Sequence, residues 1–340
     1  MKMETKRIMV NRKNLISLFV KTFTAFVILS IIISFGIMVV SSGEPPKELF
    51  TDVPISADLD VKHEHEKKDP TIMRSRHVKV NFDYLNGKDL PEGAESIILN
   101  LFDDVILKAV KNRIEKRATD RYTWFGSIEN TEHSQVILVV ENGIMAGNII
   151  AEGKVYQIRV LGDGVHSIRE IDQSLFPFDE APPLEVPEVP NVSEDNSSGI
   201  PQINDGCATI IDVMVVFTSA AASKPGITSE IQLAIDETNQ SYENSGINQR
   251  LRLVHSEQVD YTESGGDMTT DLHRLTGLSD GYMDNVHTLR DIYNADLVCL
   301  WVENSSIYGN YGGLAWMMTT VSNTFKSNAF SVVRRGYATG

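Results

Sequence analysis

Short apolar runs separated by turn-forming residues fill the chain between residues 78 and 176. Asn142 and Gly143 lie between two runs rich in β-branched residues, and this pair favours a type I′ hairpin turn because both positions need positive φ. Glu152-Gly153 and Gly162-Asp163-Gly164 repeat the turn signal at hairpin spacing. Residues 78–176 are therefore predicted to form an all-β antiparallel domain, either a sandwich or a half-barrel.

The pattern changes in the segment from residue 207 to 340. Thr209 to Phe217 is a nearly continuous apolar run, as expected for a strand covered on both faces. A helix is predicted to follow, with Ser229 and Gln232 placed as a capping box and Gly246 placed to end it. Arg250 to Tyr261 then returns as a strand, and strand, helix, strand in this order predicts a parallel crossover.

Shorter elements follow towards residue 340. Apolar stripes at helical spacing predict two short helices, near Met268 to Leu275 and Met283 to Tyr293. Strand-like runs follow at Ala295 to Val302, Gly313 to Met317 and Ala329 to Arg334. The segment 207–340 is thus predicted to combine several strands with flanking helices.

Polar segments separate these parts of the chain. Residues 43–77 are predicted to be a polar linker, and residues 177–206 a second linker rich in proline and acidic residues. The second linker is expected to be extended and exposed. A processing protease cuts such a segment easily, so cleavage around Val192 to Gln202 is one interpretation and a plain spacer is the other.

Residues 1–42 combine a basic region with a charge-free apolar run that begins at Thr22. This arrangement indicates export, either as a signal peptide cleaved near Ser42 or as an uncleaved membrane anchor. Only the anchor would make a membrane a partner. In both cases the rest of the chain is predicted to be secreted or extracytoplasmic.

The charge of the chain argues against nucleic acid as a partner. Its 31 Lys and Arg residues against 46 Asp and Glu residues give a formal net charge of -15, which opposes a phosphate backbone. Cys207 and Cys299 are too few for a disulfide scaffold. They form one bridge or are small buried residues, and the sequence leaves both interpretations open. The sequence does not indicate an oligomeric state.

The histidines do not have the spacing of metal ligands. His63 and His65 alternate within a charge run and lack the i, i+4 spacing of a helical zinc motif. The other histidines that we weighed as ligands stand apart from one another along the chain, and each is predicted to be structural or solvent-facing. They are His133, His166, His255, His273 and His287. The residues themselves therefore assign no catalytic or metal-binding position.

Two parts of the chain resemble reprolysin-like metzincin proteases of bacteria. The first part is similar to the propeptide region of secreted members, in a Trp124-x-Gly126 strand, a strand with Tyr156 and a Gly164-x-His166 turn. It contains no cysteine, so any inhibition of a peptidase would be steric. From Ile211 to residue 340 the chain resembles their catalytic domain. The matching segments are Ile211-Asp212-Val213, Glu237 to Gly265, Gly281-Tyr282-Met283, Ala295 to Val298, Gly313 to Trp316 and Ala329 to Val333.

The resemblance implies a fold and a peptide or protein substrate. The expected class is α/β, with a metzincin-like half-domain in which a mostly parallel twisted sheet has an antiparallel edge strand and flanking helices, preceded by a separate all-β antiparallel domain. The edge strand of the family pairs with extended substrate, so the implied substrate-binding residues are Gly313, Leu314, Ala315 and Trp316.

The resemblance also implies a zinc ion. The complete family member binds it through His-Glu-x-x-His-x-x-Gly-x-x-His, and these 340 residues do not contain that motif. We therefore expect this chain to bind no zinc by itself and to be inactive. Many members carry a bridging pair of cysteines at positions that here are Gly312 and Tyr337.

Two interpretations of the function remain open. In one, the chain is an exported zinc metalloendopeptidase whose sequence is cut short before the zinc helix. In the other, it is a secreted non-catalytic peptide-binding module or remnant. A third class, an adhesion-type α/β module with a metal site after its first strand, is excluded because Asp212 is not followed by Ser-x-Ser.

Overall fold

The computed structural model describes most of the chain after the leader. The described residues are 48–54, 69–86, 96–176, 184–186, 209–265, 267–303, 312–319 and 323–340. Outside the described residues lie the leader, His63, His65, Cys207 and most of both predicted linkers. Among the described residues, no helix is long and apolar enough to span a membrane.

The larger sheet has nine antiparallel strands in the order β1-β2-β9-β8-β7-β6-β5-β4-β3. Asn142 and Gly143 both have positive φ, so the hairpin turn predicted between two of these strands is formed. The strands are β1 (Phe50–Asp52), β2 (Ile72–Val80), β3 (Ser96–Phe102), β4 (Val105–Ala118), β5 (Arg121–Ile128), β6 (Gln135–Glu141), β7 (Ile144–Ala151), β8 (Lys154–Gly162) and β9 (Val165–Ile171); a short helix α1 (Asp83–Asn86) follows β2.

This sheet curves until its ends almost meet. A bridge between Glu48 and Ile98 connects the segment before β1 to β3 at the opposite end of the strand order. The concave side encloses a large apolar cluster that includes Trp124 and Leu138. Gly126 makes room for the Trp124 ring, because a Cβ atom at position 126 would lie 2.3 Å from a ring carbon. The Trp-x-Gly pattern is thus explained by packing.

The smaller sheet has six strands in the order β10-β14-β15-β13-β11-β12. β11 is parallel to both β12 and β13, and β13 is parallel to β15. β14 is antiparallel to β15. The strands are β10 (Leu184–Glu185), β11 (Ile210–Phe217), β12 (Arg250–Gln258), β13 (Leu297–Val302), β14 (Gly313–Met317) and β15 (Phe330–Arg334), and the helices are α2 (Ile227–Asn244), α3 (Met268–Thr276) and α4 (Asn285–Tyr293).

Helices cover both faces of the smaller sheet. Val213 and Val215 of β11 pack with Ile231 of α2 on one face. Met214 and Val216 pack with residues of α3 and α4 on the other face. The continuous apolar run in β11 therefore arises because each alternate residue enters a different core.

The start of α2 differs from the predicted capping box. Gly226, with φ of 86°, is the N-cap residue, and Ser229 lies inside the first turn, where its Oγ donates to the carbonyl of Gly226. A Cβ atom at position 226 would lie 2.3 Å from Val160 of β8. Packing against the larger sheet thus fixes where the helix begins. At its other end, Gly246 has positive φ as predicted.

The predicted fold class is wrong for the described chain. That class was α/β with a mostly parallel sheet and a separate all-β domain, whereas most of the described strands form one nearly closed antiparallel sheet, which packs with the smaller sheet in one compact unit, Lys47–Gly340. Leu233 of α2 packs into a cluster formed by Phe125, Ile137, Val139 and Ala146 of the larger sheet. The strand pattern predicts hairpins but carries no information on this contact.

Candidate functional site

Strand β14 lies next to β15 and holds all four residues that the sequence predicts to bind substrate. Its antiparallel register with β15 sets Gly313 opposite Val333 and Ala315 opposite Ser331. The side chains alternate: Gly313 and Ala315 are exposed, while Leu314 and Trp316 pack into the core of the smaller sheet. Main-chain groups on the outer edge of this strand are therefore the ones that can meet an extended peptide.

Helix α3 fixes the inner face of β14. The indole Nε1 of Trp316 donates to Oγ1 of Thr276 over 2.8 Å. The ring of His273, which is exposed, stands edge-on to the same indole at 4.8 Å between ring centroids. Because Trp316 is buried and hydrogen-bonded, its side chain holds the strand against α3. Its role in substrate binding stays a prediction.

Gly312 and Tyr337 meet at the start of β14. A Cβ atom on Gly312 would lie 3.3 Å from Cβ of Tyr337, and the amide of Arg334 donates to the carbonyl of Gly312 over 2.8 Å. Cβ atoms of a disulfide are typically about 3.8 Å apart. The positions that the resemblance implies to be a cysteine pair in other members are therefore neighbours here.

The outer edge of β14 is already paired with a short strand from the predicted linker. In β10, Leu184 lies opposite Trp316 and Glu185 opposite Met317, in parallel orientation. Leu184 and Val186 are half-buried against the core of the smaller sheet, and Glu185 is exposed. The sequence predicts this segment to be an exposed linker and does not predict the strand. The alternation of apolar, acidic and apolar residues was the available signal.

The described histidines have partners other than a metal. His255 Nε2 lies 2.9 Å from Glu257, and its ring stacks on Tyr293. His287 Nε2 lies 2.8 Å from the carbonyl of Gly277. His133 is exposed in a turn with positive φ. The arrangement of these residues brings no pair of imidazoles into a shared site.

His166 is buried inside the curved sheet. Its Nε2 accepts a hydrogen bond from the amide of Met145, and burial lowers the pKa of its imidazole to about 4. The ring is therefore neutral at physiological pH and structural. Cys299 lies within β13, and burial raises the pKa of its thiol to about 11. Whether it pairs with Cys207 stays a prediction, since residue 207 is not among those described.

The described residues do not form a zinc site. No group of three or more His, Cys, Asp or Glu side chains among them is arranged to hold a metal. Acidic side chains near the carboxyl ends of β11 and β13 are engaged with protein partners: Glu263 accepts from Oγ1 of Thr218 and from the amide of Glu303.

Residues 208–339 match the model of the family described as metallopeptidase family M12B, reprolysin-like. Through this segment the chain is similar to the reprolysin-like M12B metallopeptidases.

Similar proteins include the peptidyl-Asp metalloendopeptidase of Stenotrophomonas maltophilia strain K279a, 34% identical over 251 residues, which cover 69% of this chain and 58% of that protein. The peptidyl-Asp metalloendopeptidase of Xanthomonas campestris is 34% identical over 198 residues, covering 57% of this chain and 46% of that protein. The chain thus spans about half the length of these relatives. The crystal structure of metalloproteinase-II from Bacteroides fragilis aligns with a TM-score of 0.43 at 11% identity, covering 82% of this chain and 80% of that one.

Proposed function

We propose that these residues are part of an exported zinc metalloendopeptidase of the reprolysin-like type, and that β14 is the strand on which its peptide substrate pairs. In this proposal the zinc ligands lie outside these 340 residues. The chain itself binds and orients the substrate main chain. When bound, the zinc would supply the Lewis acid that activates water, and no step of that chemistry is assigned to the residues described.

The pairing of β10 with β14 is the observation that supports this proposal most strongly. An edge strand offers a row of unpaired amide and carbonyl groups, and an extended segment can add to it as a further strand. Leu184 and Glu185 do this at Trp316 and Met317. The outer edge of β14 is therefore compatible with an extended chain, and its exposed residues, Gly313 and Ala315, leave room beside it.

The relatives support a substrate class. Both carry the name peptidyl-Asp metalloendopeptidase, so we propose that the whole enzyme hydrolyses peptide bonds at aspartyl residues. Export is part of the proposal as well, on the strength of the basic and apolar leader in residues 1–42. In this proposal the antiparallel sheet is a propeptide that is exported together with the peptidase part.

The proposal is tested by comparing two proteins. Residues 1–340 and the same chain continued through the downstream codons of its gene are purified, and bound zinc and cleavage of aspartate-containing peptides are measured. We expect stoichiometric zinc and hydrolysis only in the continued chain. Matched peptides with asparagine in place of aspartate test the substrate class. Absence of zinc and hydrolysis in the continued chain would favour the non-catalytic peptide-binding module.

A further inference from the structure

Helix α2 lies between the two sheets and presents a different kind of surface to each. Towards the smaller sheet it turns Ile227, Ile231 and Ile235, which are spaced four residues apart and join the core of that sheet. Towards the larger sheet it turns Leu233, with polar neighbours one turn along on the same side. The helix therefore belongs to the core of one sheet and only docks on the other.

The docked face of α2 is mostly polar, and the surface that receives it has an apolar centre with polar residues around it. Leu233, fully buried, is the residue of α2 that joins the apolar cluster of Phe125, Ile137, Val139 and Ala146. The polar side chains of α2 that contact the larger sheet are Asp236, Glu237, Gln240, Glu243 and Asn244. A helix face of this composition can be exposed to water without leaving a large apolar patch.

Two of these polar contacts are side-chain hydrogen bonds, one buried and one partly buried. Oγ1 of Thr123 donates to the carboxylate of Asp236, which is 3% exposed. Nδ2 of Asn148 donates to Oε1 of Glu237. Each pairs a neutral donor on the sheet with a carboxylate on the helix, so the two surfaces match in hydrogen bonding as well as in shape.

The segment after β15 is held by the same sheet. Arg159 of β8 donates through Nη2 to Oγ1 of Thr339 over 2.7 Å, and Gln157 donates to the carbonyl of Thr339 over 3.3 Å. The amide of Gly340 donates to the second oxygen of Glu237 over 3.1 Å. The contact surface therefore extends from α2 to the end of the described chain.

Clefts lined by charged side chains open beside this contact. One of about 470 Å³ has Arg159 and Arg169 on one side and Lys224, Glu230 and Arg335 on the other. A second of about 370 Å³ lies beside Phe125 and Asp236. Contacts between domains of one chain are more polar than permanent interfaces. The charged lining of these clefts is thus typical of two domains in contact.

We propose that the larger sheet and the segment 209–340 are two separable partners, docked through α2 with Leu233 as the anchor. They remain together as a noncovalent complex when the linker between residues 187 and 208 is cut. Cutting that linker alone then does not release the segment that carries β14. The inference does not depend on peptidase activity, so it can fail while the proposed function holds.

The test uses the whole chain with a site-specific protease sequence inserted between residues 187 and 208. The purified protein is cut after folding, and the two products are followed by size-exclusion chromatography and native mass spectrometry over a dilution series. We expect co-elution of the two products. Separation of the unaltered products at micromolar concentration would overturn the proposal.

Two variants test whether α2 is the docking element. Leu233→Asp places a charge in the apolar cluster, and Asn148→Asp sets a second carboxylate against Glu237 while keeping the oxygen that accepts from Arg159. We expect each to raise the apparent Kd at least tenfold. Asn112→Asp makes the same isosteric change at an exposed position of β4 and serves as the control.

Far-ultraviolet circular dichroism and the melting temperature of each uncut variant show whether it folds. Since Asn148→Asp changes no volume, it provides the test even if Leu233→Asp does not fold. An apparent Kd for Asn148→Asp equal to that of Asn112→Asp would contradict docking through α2.

Discussion

Gly312 and Tyr337 lie side by side: a Cβ atom on Gly312 would be 3.3 Å from the Cβ of Tyr337, although 24 residues separate them in the sequence. Gly312 precedes β14, and Tyr337 follows β15. The contact therefore closes the segment that contains the substrate-pairing strand. Tyr337 also meets Phe176, which follows the larger sheet, edge-on at 5.6 Å.

A disulfide introduced at these two positions should stabilise the chain. Gly312→Cys with Tyr337→Cys is expected to oxidise spontaneously, because the Cβ separation is close to that of natural disulfides. Closing a loop of this length raises the free energy of unfolding by about 3 kcal/mol in the chain-entropy model. Urea denaturation of the oxidised and reduced double variant measures the difference.

The control for this prediction is the pair of single variants. All proteins carry Cys207→Ser, and half-buried Cys299, whose pKa is raised to about 11, does not compete for oxidation. If free thiols persist in the double variant under air, the two positions are farther apart in solution than the structure has them.

Replacing Arg335 with lysine should lower the free energy of unfolding far more than replacing Arg252 with lysine. Arg335 is buried and donates two hydrogen bonds to Glu230 and three to the carbonyls of Ala221, Lys224 and Pro225. Lysine has three donors and no planar fork, so Arg335→Lys is expected to lower the free energy of unfolding by about 3 kcal/mol. Urea denaturation of the purified variant checks this value.

The matched control is Arg252→Lys. Arg252 makes the same two-pronged contact with Asp212, but its side chain is 63% exposed. Exposed ion pairs contribute little, so we expect no measurable change in unfolding for Arg252→Lys. Equal effects of the two substitutions would show that burial does not decide the strength of these pairs.

The docked face of α2 should depend on pH. Burial raises the pKa of Asp236, and the hydrogen bond from Thr123 and the charge of Arg117 only partly oppose it. A carboxyl whose pKa is higher in the folded chain stabilises that chain fully below its unfolded pKa, and this stabilisation is lost as pH rises through the raised value. Asp236→Asn removes the titration.

The free energy of unfolding of both proteins, measured by urea denaturation between pH 4 and pH 8, checks this expectation. The difference, wild type minus Asp236→Asn, should become less favourable to the wild type as pH rises. A difference that grows with pH would mean that Thr123 and Arg117 outweigh the effect of burial.

Releasing β10 should expose the edge of β14. Leu184→Asp places a charge against the apolar core on which this residue is half-buried, and it should detach the short strand without altering β14 itself. Hydrogen exchange of the amides of Trp316 and Met317, which lie opposite β10, is then expected to become at least tenfold faster. Glu185→Gln, at an exposed position of the same strand, should leave the exchange unchanged.

The local pattern predicts elements better than it predicts contacts between them. Asn142-Gly143 predicts its hairpin because positive φ is a property of the two residues. The run in β11 likewise predicts a buried strand. The docking of Leu233 between Phe125 and Val139 joins positions about 100 residues apart, and nothing in the α2 pattern distinguishes its second buried face. The wrong fold class arises from such long-range packing.

Prediction of the candidate site is limited in the same way, by contacts between distant parts of the chain. The resemblance predicts the four residues of β14 as substrate-binding residues, but it does not predict that Leu184 pairs with Trp316. Two or three residues within a proline-rich linker carry almost no pattern that predicts a strand. The start of α2 was misplaced for a related reason. Its position depends on Val160 in another sheet, whereas a capping box is sought within four neighbouring residues.

The most direct measurement adds an extended, aspartate-containing peptide to the Leu184→Asp variant and follows hydrogen exchange along the chain. If β14 is the substrate-pairing strand, its amides, including those of Trp316 and Met317, gain protection as peptide is added, and wild type shows the effect only at higher peptide concentration. No protection in β14 at saturating peptide, or protection confined to another strand, would contradict the assignment.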